Sequence, residues 1–145
     1  MDLFSTMSVS ASGMTAQRFR AQLLVENLAN AETTRTAEGG PYRRKDAVFS
    51  TEPVTSSFSS VFQSELETGA AGVRVSDVVV DNREPERRYL PGHPDADKDG
   101  YVAFPRVNPT EDSVDLMGAS RNFEANVAAM SAVKDMIQRS IDLLK

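Results

Sequence analysis

The stretch NPTEDSVDLMGASRNFEANVAAMSAVKDMIQRSIDLLK, residues 108–145, decides how the rest of the chain is read. Asn108 has a capping side chain, Pro109 suits the first helical position, and Glu111 stands where a capping-box carboxylate reaches back to the cap amide. Beyond this start, Leu116, Phe123, Val127, Met130, Ile137, Ile141 and Leu144 recur at spacings of three and four, with Ser120 and Lys134 as polar members of the same stripe. No proline follows Pro109, so the spacing predicts one helix running almost to Lys145. A stripe this narrow is a seam for another helix.

The opposite end carries the same spacing. Phe4, Met7, Ala11, Met14, Ala21, Val25 and Leu28 form a heptad stripe, interrupted by Arg18. Ser8, Ser10, Ser12, Gly13 and Thr15 are poor helix formers, so this helix is marginal alone and needs a partner. Two stripes at opposite ends of a small chain point to pairing with each other or with neighbouring copies. Gly13, Ala11, Ala21, Gly118, Ala119, Ala125 and Ala128 are small enough to let helices approach closely.

Between the ends the pattern changes. Residues 42–49 and 73–81 are rich in Val and aromatics and are expected as strands. A second pair, 88–90 and 101–104, flanks an aspartate-rich turn and is expected as a hairpin. Residues 50–72, dominated by Ser, Thr, Gly and Glu, are expected as a long, partly ordered insertion. The fold class is therefore α+β: an N-terminal helical segment at 1–31, a β-rich middle segment at 32–107, and a C-terminal helix at 108–145.

Composition narrows function. A formal net charge of -5 argues against nucleic acid as a partner, because a phosphate-backbone binder needs a concentrated basic face. The absence of cysteine removes thiolate nucleophiles and Cys-ligated metal sites. The first basic residue is Arg18, with no apolar segment of secretory type around it, and no run nears the roughly 18 apolar residues of a spanning helix. Cytoplasmic synthesis without a cleaved signal peptide, and no membrane insertion, are the expectations.

The aspartates of HPDADKDGYV, residues 93–102, resemble the start of a calcium loop, with Asp95, Asp97 and Asp99 at alternate positions before Gly100. Counting from Asp95, however, the twelfth position, where an EF-hand needs its bidentate carboxylate, is Arg106, and the flanks read as extended chain. A solvated turn, with Asp accepting local backbone hydrogen bonds and Gly100 at positive φ, is the better reading. The only histidine, His93, lies in this turn without the marks of a general base. Glu111 and Asp112 are accounted for by the helix start and its dipole, and Arg43, Arg44 and Lys45 by a solvated strand start. No catalytic, metal or cofactor residue is assigned.

Asn27-Leu28-Ala29-Asn30-Ala31-Glu32-Thr33-Thr34, placed after an N-terminal helix, is similar to the signature shared by bacterial flagellar rod and hook proteins. The motif residues are Asn27, Leu28, Ala29, Asn30, Thr33 and Thr34. Arg35-Thr36 with Gly39-Gly40-Pro41-Tyr42-Arg43-Arg44-Lys45, the segment Pro91 to Asp97 running into Gly100-Tyr101-Val102, and Met117 to Val127 resemble the C-type proximal rod family (FlgC) in particular. The resemblance implies a non-enzymatic subunit of the flagellar basal-body rod. It further implies export by the flagellar type III apparatus, assembly with copies of itself and other basal-body components, and terminal helices that polymerise in a coiled-coil-like layer. The competing readings are another rod or hook subunit and, from a different class, a small Ca²⁺-responsive adaptor.

Overall fold

In the computed structural model, residues 3–53 and 71–143 are described. They form α1 (Leu3–Ala29), β1 (Lys45–Pro53), β2 (Ala71–Val80), β3 (Glu86–Tyr89), β4 (Tyr101–Phe104) and α2 (Pro109–Asp142). This is the expected α+β arrangement of two terminal helices around a small strand region. Leu144 and residues 54–70 of the expected insertion lie outside the described residues.

At the start of α2, Asn108 is extended and its side chain accepts from the amides of Thr110 and Glu111 at 3.2 and 3.5 Å. Pro109 occupies the first turn as its fixed φ allows. The reciprocal half of a capping box, Glu111 reaching back to the Asn108 amide, does not form among the described residues. In α1 the Ser12 and Thr15 hydroxyls donate to the carbonyls of Val9 and Ala11, which satisfies these weak helix formers inside the helix.

The helices lie antiparallel. Arg20 on α1 meets Asp115 on α2 at 3.3 Å, while Gly13, seven residues earlier, meets Asn126, eleven residues later. The buried face of α1 carries Ser10, Ala16, Leu23, Leu24 and Asn27, and that of α2 carries Asp112, Ala119 and Val133. Neither face coincides with the stripe that the heptad spacing selects.

Strands β1 and β2 form an antiparallel hairpin with Lys45 opposite Val80 and Pro53 opposite Ala71, and a register shift between Val48 and Phe49. The strand pair is shifted toward its hairpin end relative to the expected 42–49 and 73–81: residues 42–44 and Asp81 lie outside it, whereas residues 50–53 and 71–72 belong to strands instead of the insertion. Their polar residues gave no periodic signal, yet ladder pairing carries them. Strands β3 and β4 form a second antiparallel pair, Glu86 opposite Phe104 and Tyr89 opposite Tyr101, with the two tyrosine rings edge to face at 5.4 Å.

Among the described elements α1 touches α2, β1 and β2, whereas β3–β4 meets none of the others. Loop residues hold that hairpin instead: the Thr34 hydroxyl donates to Asp95 Oδ2 at 2.8 Å, and Arg35 stands 3.7 Å from Asp95 Oδ1. The buried apolar set among the described residues is only Ala16, Leu23, Leu24, Tyr42, Val102, Ala119 and Val133. So few buried side chains leave much apolar surface for something outside the chain to cover.

Candidate assembly surface and the joint that anchors it

The stripe residues of α1 are only partly covered by the fold. Phe4 is 71% exposed and Val25 50%, Leu28 is exposed, and Met7, Ala11, Met14 and Ala21 are half-buried. On α2, Phe123, Val127 and Ile141 are exposed, whereas Leu116, Met130 and Ile137 are half-buried. Val114, Met117, Met136 and Leu143 add further exposed apolar side chains to the same helix. Of the residues suggested for close approach, Ala119 is buried and Gly13 abuts the Asn126 side chain, whereas Ala125 and Ala128 lie exposed and Gly118 faces open space.

The signature Asn27–Thr34 performs a second task at the C-terminal end of α1. Asn27 is fully buried, and its Nδ2 donates to the Lys45 carbonyl at 2.9 Å. Its Oδ1 accepts from the Lys45 amide at 3.0 Å and the Tyr42 hydroxyl at 2.9 Å. One amide thus satisfies both backbone groups of the first β1 residue, which the strand ladder leaves over. Burial, with smaller effects from Glu26, Asp112 and Asp46, pushes the Tyr42 hydroxyl up to about 12, so it stays a neutral donor. Asn30 ends the helix by donating to Glu26 O at 2.9 Å and accepting from the Thr33 hydroxyl at 3.2 Å. The Thr33 carbonyl then accepts from the Tyr42 amide at 3.0 Å, closing the loop onto the strand start. Leu28 and Ala29 are exposed, and Leu28 enters the turn only through its carbonyl, which accepts from the Ala31 amide at 3.3 Å.

The basic trio beside the joint is not a solvated strand start throughout. Arg43 is exposed and donates to Asn82, but the Lys45 ammonium pairs with Glu26, and Arg44 is mostly buried between two carboxylates. Its Nη2 lies 2.9 Å from Asp112 Oδ1, and its Nε 3.4 Å from Asp46 Oδ1. Asp112 is 1% exposed, so it is more than a dipole partner in the first helical turn. Its signal was hidden: a first-turn aspartate beside Glu111 looks the same in sequence whether it faces water or a buried guanidinium.

In the β3–β4 turn the carboxylates serve the protein's own backbone. Asp97 Oδ1 accepts from the amides of Asp99 and Tyr101 at 3.0 and 2.8 Å, His93 Nδ1 accepts from the Asp95 amide, and Asp95 holds Thr34 and Arg35. Gly100 takes φ +80, as expected of this turn. Among the described residues no three His, Asp or Glu side chains gather to hold a metal ion.

Residues 98–143 match the family described as the flagellar basal body rod FlgEFG protein C-terminal segment. Over essentially the full length of both chains, the protein is 41% identical to the flagellar basal-body rod protein FlgC of Bacillus subtilis and 38% identical to that of Borreliella burgdorferi. It is 34% identical to the FlgC protein of Salmonella typhimurium, covering 99% of this chain and 98% of that one.

The chain belongs to the FlgC family of flagellar basal-body rod proteins.

Within this FlgC-family chain, the matched segment 98–143 takes in β4 and nearly all of α2. The full-length likenesses cover the joint as well, and they set the C-type reading above other rod or hook subunits and above a calcium-responsive adaptor.

Proposed function

We propose that the protein is a structural subunit of the flagellar basal-body proximal rod, with no enzymatic role, and that it polymerises through α1 and α2. The observation that carries this reading is the pair of half-exposed apolar stripes, which a small intramolecular core does not absorb. In a helical array each contact is heterologous, so the stripe of one copy seats on a different face of the next. Neighbouring stripes would then cover Phe4, Met7, Met14, Val25, Phe123, Val127 and Ile141. The remaining stripe positions, Ala11, Ala21, Leu28, Leu116, Met130, Ile137 and Leu144, belong to the same proposed surface.

In this reading residues 1–31 and 108–145 are the assembly segments and residues 32–107 the middle segment. Synthesis in the cytoplasm and export by the flagellar type III apparatus without signal cleavage complete it, with copies of itself and other rod proteins as partners. The test is to express a tagged chain in a bacterium lacking its own FlgC. Recovery of the tag in purified basal bodies together with restored motility is expected, and deletion of residues 1–15 is expected to abolish both. Unimpaired assembly of the deleted chain would show that the surface has been misplaced.

A further inference from the structure

We infer that Arg44 and Asp112 are positioning residues: their buried ion pair fixes the register of α2 against α1, and thereby the direction in which the two outward stripes face. The inference about register stands on the fold alone; its consequence for assembly rests on the rod-subunit reading.

The helix–helix face explains why a register device is needed. Over the middle of the helix pair the inward positions are small, with Gly13 against Asn126 and with Ser10, Ala16 and Ala119 buried, so shape there offers little to oppose sliding, and the larger Leu23, Leu24 and Val133 lie toward the ends. The ion pair between the helices themselves, Arg20 with Asp115, has side chains 40% and 38% exposed and so contributes little.

Asp112 differs in being buried, in sitting on the first turn of α2, and in having its cation supplied from outside both helices. Arg44 immediately precedes Lys45, whose backbone Asn27 holds to the end of α1, and the Arg44 carbonyl accepts from the Asp81 amide at 2.8 Å. The backbone that carries the guanidinium is therefore tied to α1 and to the end of β2 independently of α2. Sliding α2 by one turn, about 5.4 Å, would leave a buried carboxylate with no cation, a cost that apolar contacts regained elsewhere do not offset.

The local chemistry fits a device for specificity better than one for stability. Asp112 Oδ1 meets Arg44 as a charge contact off the line of a good hydrogen bond, and neither carboxylate oxygen has a hydrogen-bond partner among the described residues. Burial raises the Asp112 carboxyl above its ordinary value despite the pull of Arg44, so the charged pair is held at a cost. Replacing a buried pair of that kind by apolar residues is often neutral or stabilising, and its best-attested use is to choose one register.

The experiment compares Arg44→Met/Asp112→Leu, and separately Asp112→Asn, with the parent chain. The chain has no cysteine, so Gln22→Cys and Ser131→Cys, both at exposed positions, allow spin labels on α1 and α2. Electron–electron distance measurements are expected to give one narrow distribution for the parent. For the double variant they are expected to give a broadened distribution or a second population displaced by roughly 5 Å, at unchanged thermal stability, together with lost rod assembly. A narrow, unshifted distribution in the double variant overturns the inference. So does an unfolded double variant accompanied by an unshifted Asp112→Asn chain. Failure of the parent chain to enter rods would instead sink the rod-subunit reading and leave the register result standing.

Discussion

At Asn27 a single carboxamide bonds both backbone groups of Lys45 and the Tyr42 hydroxyl in a fully buried site. Asn27→Ala would orphan these groups together, and we expect a loss of about 3 kcal/mol in chemical denaturation, against under about 1 for Ala29→Ser on the exposed side of the same motif. The sequence singled out Asn27 only through family resemblance. Periodicity had no means of showing that an asparagine beside Leu28 turns inward, because hydrogen-bond partners eighteen residues away leave no mark on spacing. Asp112 was hidden for the same reason, its cation lying far back in the chain at Arg44, whereas Asp81 pairs locally with Arg83, and the two titrations run in opposite senses. The folded-state Asp112 carboxyl lies above its ordinary value, chiefly through burial, so the folded chain holds its proton more tightly than the unfolded chain does. Its contribution is fully present below the ordinary aspartate value of about 3.9 and is lost as pH rises through the folded value. Asp81, held at about 2 by the Arg83 guanidinium, contributes above that ordinary value and loses its effect as pH falls toward about 2. Denaturation of the parent and Asp112→Asn chains from pH 3 to 7 should show the variant gaining relative stability as pH rises. A constant difference across that range would contradict the assignment.

At the scale of elements, the helices and the β3–β4 hairpin were legible because each carries its own local instructions. Asn108-Pro109 starts α2, the three-and-four spacing sustains it, and Gly100 makes the turn that sequence chemistry demanded. A Cβ at Gly100 would stand 2.9 Å from Tyr89 Cε2 and 3.2 Å from Pro91 Cβ, at a φ that side chains rarely adopt. Gly100→Ala should therefore destabilise the chain by about 2 kcal/mol, with exchange protection lost first at the amides of Leu90 and Tyr101. Which face of each helix turns inward was not legible. The heptad stripe marks one apolar face, but the face turned inward carries Gly13 against Asn126 with the buried Ser10, Ala16, Leu23 and Leu24, a mixture of small and large residues without heptad spacing. Gly13 tests this choice. A Cβ there would meet the Asn126 side chain at 3.1 Å, and that side chain can rotate, so Gly13→Ala should gain up to about 1 kcal/mol from helix propensity. Gly13→Leu has no such space and should lower the thermal midpoint by several degrees.

At the scale of the whole molecule, the fold is a small core flanked by apolar surface that it does not use. Intramolecular pairing takes one face of each helix and leaves the Phe4–Leu28 and Phe123–Ile141 stripes half open, so in the proposed rod the same two helices would serve an internal contact and an external one. If that division is right, stability of the free chain and competence to assemble separate cleanly by position. Phe4→Asp and Val127→Asp change exposed residues and should shift the free chain's unfolding by less than about 0.5 kcal/mol. Each places a charge where a neighbouring copy would have to desolvate it, which costs several kcal/mol at a contact repeated along the polymer, so rods and motility should be lost. Leu24→Asp, at a buried position beside the joint, should do the reverse in order: unfold the free chain first, with loss of rods following from that. Sedimentation of the free subunits together with electron microscopy of basal bodies distinguishes the two classes. Rods of normal length from either stripe variant would mean that copies of this chain meet through some other face.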